Sequence, residues 1–168
     1  MSLSAGANTP ASDADIQALI ELLFFAYRDF TSDPDALLDA EGMGRAHHRV
    51  LHFVNRNPGM RVADLLDILR ITKQSLGRVL RQLVERGYIE QREGPQDRRE
   101  RRLYATAAGA EFAAALSQPQ SRRFHEAFQS LPPGAAEQAQ AFLMALVNRE
   151  NRRTVLGLIA ETGTPSDK

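Results

Sequence analysis

The 168-residue chain contains no cysteine, which excludes disulfides, thiolate metal ligands and thiol redox sensing together. It has no apolar run of eighteen residues, so no membrane-spanning helix is expected. It carries no net charge of either sign, with 21 basic and 21 acidic residues. It has no phosphate-cradling glycine loop, no nucleophile motif, no H-E-x-x-H and no convincing pair of carboxylates, which argues against an enzyme. The opening MSLSAGANTPASDAD lacks the basic start and apolar core of an export signal, so a cytoplasmic location is expected. Residues 1–12 and 163–168 read as flexible tails.

The composition that remains is that of a folded soluble domain, with 43% hydrophobic and 25% charged residues. The zero net charge hides an asymmetry. Residues 70–102 hold ten Arg or Lys against five acids, so this segment is +5 and the remainder −5. A concentrated basic field suits a polyanion, although charge alone is better explained as a solvated surface.

Hydrophobic spacing divides the chain into helices and one short β-segment. Residues 16–30 are apolar almost all round, with Asp13 as the expected N-cap. Such a helix needs cover on several sides, from its own core or from a second chain. Residues 44–56 form a helix with Ala46, Val50, Phe53 and Val54 on one face, stopped at Asn57–Pro58–Gly59. A short helix over 62–69 follows. Thr72 caps the next, with Leu76, Val79, Leu80, Leu83 and Val84 as its stripe and Gly87 at its end. The period then changes: YIEQRE and RLYAT read as a hairpin with the basic tip GPQDRRER. After Thr106 the chain is helical again. Pro119 is expected to break or kink it, and one last helix is expected over about 135–160.

Two helices joined by a tight turn, the second exposing polar residues, make a helix-turn-helix. The outward residues Thr72, Lys73, Gln74, Ser75, Arg78, Arg81 and Gln82 suit duplex DNA. Gln pairs bidentately with adenine and Arg with guanine, while Ser, Lys and Arg fix phosphates. Gly77 within this helix costs about 1 kcal/mol relative to alanine. Close approach to DNA and packing on the preceding helix explain it equally well. At the hairpin tip, Arg98, Arg99 and Arg101 suit the electronegative minor groove, with Asp97 pairing to a neighbouring arginine and fixing its direction.

The stretch from Ala63 to Gly109 resembles the MarR (multiple antibiotic resistance regulator) family. The specific marks are D-x-R-x-x-x-L-x-x-T at Asp97, Arg99, Leu103 and Thr106, and R-x-L-x-x-L-V-E-R-G-Y-I from Arg78 to Ile89. Ala107 departs from the proline frequent there in the family. The resemblance implies a mainly α fold with a small β-wing, in which a winged helix-turn-helix over 45–106 is flanked by dimerisation helices. Those are a helix and loop over 13–44 and helices over 107–162. It further implies a homodimer on a palindromic site, Arg99 as the minor-groove residue with Asp97 orienting it, and repression relieved by a small aromatic acid.

His48 and His52 lie four apart and could share one metal, but too few further ligands are present, so no metal and no cofactor are expected. Tyr27, His47, His48, Arg49 and His52 together suit an effector pocket for a carboxylate. The alternative to a DNA-binding regulator is a protein-interaction adaptor that uses the same winged unit.

Overall fold

The computed structural model describes residues 11–97 and 99–160. The expected tails over 1–12 and 163–168 therefore lie almost wholly outside the described residues, as does Arg98. Helix α1 spans Asp13–Ser32 and α2 Asp35–Ala40. The central unit comprises α3 (Arg45–Arg56), strand β1 (Met60–Arg61), α4 (Val62–Leu69), α5 (Lys73–Glu85), β2 (Ile89–Glu93) and β3 (Arg101–Ala105). Helices α6 (Ala107–Gln129), α7 (Ala135–Leu146) and α8 (Arg152–Ala160) complete the described residues, with one 3-10 turn over Arg149–Asn151.

The core sits in the central unit and on the first half of α6. It gathers Val50, Leu51 and Val54 of α3, Leu65 and Leu69 of α4, and Leu76, Val79, Leu80 and Leu83 of α5, with Ile89, Leu103 and Leu116. The apolar stripe read from α5 is buried except for Val84, which is 38% exposed. The sheet order is β1-β3-β2, all antiparallel, with Gln91 and Met60 opposite Leu103 on its two sides. The two-residue β1 has no signature in the sequence. It forms because Asn57–Pro58–Gly59 turns the chain back, and the Gly59 amide donates to the Leu103 carbonyl at 2.8 Å.

Three boundaries differ from the sequence reading. Ser12, not Asp13, caps α1: its hydroxyl accepts from the Asp15 amide and the Asp15 carboxylate accepts from the Ser12 amide. Pro119 does not end α6, which runs as one helix through it. Contacts on both sides of the proline hold the two halves in one helix. Leu116 is fully buried, Phe124 meets Phe30 edge-on at 5.7 Å, and Arg123 pairs with Asp33 at 2.6 Å. The expected last helix is two helices. Val147 is extended, and Arg152 donates to the Val147 and Ala145 carbonyls at 2.9 and 2.7 Å, satisfying acceptors that the break releases. The segment TSDPDALLDAEG reads as turn residues with a short helical piece, and that piece is α2, whose Leu38 is buried.

Outside the central unit the apolar surface is largely uncovered. No described residue of α1, α7 or α8 is buried. Leu22, Phe24 and Tyr27 are 61%, 69% and 59% exposed, and Phe142, Leu146 and Leu156 are about half exposed. Soluble monomers rarely leave such contiguous apolar surface in water.

Candidate nucleic-acid interface

The turn between α4 and α5 is built by local chemistry. Arg70 takes the left-handed conformation (φ 53°), and among the described residues it is the only non-glycine with positive φ. Its amide bonds the Leu66 carbonyl and its Nε the Asp67 carbonyl, closing α4. Two residues on, the Thr72 hydroxyl accepts from the Ser75 amide at 3.1 Å and starts α5. The core-facing leucines then fix which side of α5 looks outward. At 100° per residue, Gln74, Gly77, Arg78 and Arg81 share the opposite, exposed face.

Charge pairing sorts the basic residues of the segment. Arg86 pairs with Glu41, Arg92 with Glu90, Arg101 with Glu93 and Arg102 with Glu100. Arg92 also lies over the Tyr104 ring at 4.3 Å. Arg70 is held by neutral acceptors, the Asp67 carbonyl and Asn151. Among the described residues, the side chains of Lys73, Arg78, Arg81 and Arg99 make neither an ion pair nor a hydrogen bond, and all four are exposed. Apart from Arg70 in the turn, the basic charge of this segment left without a carboxylate partner thus lies on the outer face of α5 and at the hairpin tip. Of the three wing arginines named from the sequence, Arg99 is unpaired, Arg101 is paired across the hairpin, and Arg98 lies outside the described residues.

Asp97 acts differently from expectation. Among the described residues it forms no ion pair. Its carboxylate accepts from the Arg99 backbone amide at 2.8 Å, while its carbonyl accepts from the Glu100 amide at 3.0 Å. It fixes the direction of Arg99 through the backbone of the turn, which suits a carboxylate better than facing phosphates. Gly94 lies opposite, with room for no side chain: a Cβ there would be 2.9 Å from the Asp97 carbonyl.

Two further assignments change. A Cβ at Gly77 would meet nothing within 4 Å, so packing on α4 does not explain this glycine. Gln82 is already engaged. Its Oε1 lies 2.5 Å from His47 Nε2, and His47 Nδ1 accepts from the Gly44 amide at 3.1 Å. Because Nδ1 accepts, Nε2 carries the proton and donates to Gln82. Its oxygen keeps a second lone pair and its amide both hydrogens, so a pairing with adenine would have to share the oxygen with His47. His47 belongs to this α3–α5 link and does not line the cavity described next.

Tyr27, His48, Arg49 and His52, the other four expected pocket residues, do come together. They line a cavity of about 410 Å³ between α1, α3 and α6, with Phe30, Arg45 and Gln120. Arg45 is committed to Asp35 at 2.8 Å, whereas Arg49 makes no ion pair among the described residues. Nε2 of His48 is buried without a hydrogen-bond partner. Burial, and then the nearby His52, hold the His48 pKa below its ordinary value. Burial, and then the Arg56 charge, do the same to His52. No group of three or more metal-ligating side chains accompanies them among the described residues.

These depressed values set a pH dependence. A base whose folded pKa lies below its unfolded value binds protons more readily in the unfolded chain. Stability is therefore full above the unfolded value, about 6.5 for histidine, and falls as pH drops below it. Denaturant midpoints are expected to be lower at pH 5.5 than at 7.5, with a smaller difference in a His48→Gln variant. Equal pH dependence in parent and variant would assign the effect elsewhere.

The arrangement of α4, turn, α5 and a β2–β3 hairpin defines a winged helix-turn-helix protein. A model of the MarR family matches residues 41–100. The HTH-type transcriptional regulator PetP of Rhodobacter capsulatus is 44% identical over 142 residues, covering 84% of this chain and 86% of that protein. The transcriptional repressor MprA of Escherichia coli is 27% identical over 105 residues, 62% of this chain and 60% of that protein. The fold is similar to that of Streptococcus pneumoniae FabT solved in complex with DNA, with a TM-score of 0.65 at 17% identity over 79% of this chain and 94% of that one. It is also similar to an E. coli MarR mutant complexed with operator DNA, with a TM-score of 0.61 at 18% identity over 83% of this chain and all of that one. The chain belongs to the MarR family of transcriptional regulators. No helix among its described residues is long and apolar enough to cross a membrane.

Proposed function

We propose that the chain acts as a homodimer that binds a palindromic duplex operator, represses transcription from it, and is released by a small aromatic acid. The observation that carries the DNA reading is the sorting of charge. Among the described residues, Lys73, Arg78, Arg81 and Arg99 stay unpaired on the outer face of α5 and at the wing, while Arg86, Arg92, Arg101 and Arg102 are neutralised. An α-helix with such a face fits the major groove, and an arginine at a hairpin tip fits the minor groove. The exposed apolar surface of α1, α7 and α8 supports a dimer, and the likeness to a named repressor, MprA, supports repression. The cavity beside His48 supports an acidic aromatic effector: Phe30 and Tyr27 offer rings, Arg49 a cation outside any ion pair, and His48 an unpartnered ring nitrogen.

Selection of bound duplexes from a random pool tests this reading. The expected result is a two-fold symmetric site with half-sites about one helical turn apart, occupied by a particle of twice the chain mass. A pool that converges on no sequence would leave the winged unit as a protein-binding adaptor. A stable monomer at micromolar concentration would overturn the dimer. Salicylate-like acids are expected to weaken the selected complex, and an unchanged affinity across such acids would remove the effector.

Gly77 gives a separate check. Gly77→Ala is expected to raise helix stability by about 1 kcal/mol, since nothing in the chain crowds the new methyl. On the DNA-facing side of α5 the same methyl is expected to weaken operator binding. A stabilised variant with unchanged DNA affinity would move the contact surface away from Gly77.

A further inference from the structure

The bond between His47 and Gln82 joins the first turn of α3 to the flank of the recognition helix. A neutral imidazole carries one proton. Because His47 Nδ1 accepts from the Gly44 amide at 3.1 Å, that proton is on Nε2, which therefore faces an acceptor. The atom of Gln82 turned to His47 is its oxygen, 2.5 Å away, and not its nitrogen. The ring thus settles which way round the Gln82 amide lies. Both amide hydrogens are left over, and among the described residues they meet no acceptor. Arg86, one turn further along α5, is tied to Glu41 at 2.8 Å, so segment 41–47 holds the same flank twice. At 100° per residue, Gln82 lies about 40° round the helix from Arg78 and one turn later. Gln82 is exposed and His47 half-buried.

We propose, resting on the reading of α5 as the recognition helix, that His47 is a positioning residue for DNA binding. By holding the Gln82 oxygen it presents the Gln82 amide as a fixed pair of donors to a phosphate of the duplex. Recognition helices reach base edges with their N-terminal residues. Gln82 belongs to the third turn of α5 and to its flank, where the sugar-phosphate wall of the groove is nearer than its floor. Neutral amides are among the groups that make such backbone contacts. An adenine edge asks for a donor and an acceptor side by side, and the acceptor here is shared with His47. A phosphate oxygen asks for donors alone. His47 also lowers what the contact costs, because glutamine is among the side chains that lose most rotamer freedom when fixed, and the bond fixes it before DNA arrives.

The test measures binding of the full chain to a duplex that the parent selects from a random pool. His47→Asn keeps an acceptor for the Gly44 amide, as Asp15 and Asp64 supply at the same position of α1 and α4, but is too short to reach α5. His47→Gln offers that acceptor and a longer amide that can donate to Gln82. His47→Asn is expected to weaken binding roughly fivefold, the size of one neutral hydrogen bond, and His47→Gln to restore it to within about twofold of the parent. Gln82→Leu is expected to lose the same factor as His47→Asn, and the double variant to lose no more than either alone. A neutral donor releases no counterion, so the slope of log affinity against log salt is expected to stay that of the parent in every variant. The loss is expected to be even across duplexes altered one base pair at a time. Losses that multiply in the double variant, or a His47→Gln variant no better than His47→Asn, overturn the positioning role. A loss that depends on one base pair overturns the phosphate as the target. A parent that selects no duplex overturns the regulator reading together with this one, whereas a parent that binds while its variants match it overturns the role of His47 alone.

Discussion

Gly109→Ala is expected to cost the chain about 3 kcal/mol or more, at the upper end of overpacking effects. The residue is buried in the first turn of α6, and a Cβ built there would sit 1.9 Å from the Tyr88 carbonyl oxygen. That oxygen cannot swing aside, because it accepts from the Thr106 amide at 3.1 Å. Thr106 is itself held twice: its hydroxyl donates to the Gly87 carbonyl at 2.6 Å and accepts from the Gly109 amide at 3.0 Å. The Tyr88 ring is stacked on Phe112 at 4.8 Å, so the whole junction between the wing and α6 is clamped. Relieving the clash means moving α6 away from β2 and β3, which opens the core at Leu116 and Ile89. Thermal unfolding would show a transition lowered by roughly 6–12 °C, using about 2–4 °C per kcal/mol for a chain of this size. A midpoint within 2 °C of the parent would show that the junction can relax and would remove the clamp. Gly109 does not stand out in the amino-acid sequence. A signal is present in T-A-A-G, a threonine cap followed by glycine at the third helical position, but its need arises only from the approach of Tyr88.

Arg78→Ala and Arg99→Ala are expected to weaken operator binding by roughly 10- to 100-fold each, about 1–3 kcal/mol, whereas Arg101→Ala is expected to have a several-fold smaller effect. The contrast rests on pairing. Among the described residues Arg78 and Arg99 reach solvent without a carboxylate partner, whereas Arg101 is 3.6 Å from Glu93 and already partly neutralised. Arg78, on the outer face of α5, is expected to relax sequence preference at one position in each half-site, as removal of a base-reading side chain does. Arg99 at the wing is expected to act more evenly across sequences. If it neutralises a phosphate, its removal lowers the slope of log affinity against log salt by about 0.9 for each such phosphate. Equal weakening by all three variants would mean that the pairing in the free chain does not govern binding to DNA. An Arg99→Ala variant that binds as tightly as the parent would remove the wing from the interface.

Much of the helix-turn-helix was legible because each of its signals is local. Thr72 is a cap that bonds a backbone amide three residues on. Leu76, Val79, Leu80 and Leu83 repeat at the helical period, and Gly87 supplies the positive φ that ends the segment. The return of alternation at Ile89 and Leu103, with Gly94 and Pro95 between, is enough to place a hairpin. Such features depend on neighbours within a few residues, so they survive reading in one dimension. Most of the cavity beside His48 was also within reach, because His48, Arg49 and His52 lie within two turns of one helix.

The rest depended on partners distant in sequence. Arg92 and Arg102 pair with glutamates only two residues away, but Arg101 reaches Glu93 only because the hairpin closes, and Arg86 pairs with Glu41, 45 residues away. His47 and Gln82 are 35 residues apart, and their bond places His47 in the α3–α5 link and takes one of the two acceptor sites of the Gln82 oxygen. A two-residue strand exists only because β3 is there to pair with it. Pro119 keeps its helix because α1 and the loop after it hold the chain on the far side. The amino-acid sequence by itself determined that a winged helix-turn-helix would form and where its basic charge would be concentrated. The tertiary structure decided which of those charges face outward uncompensated, because pairing is a property of distances between segments.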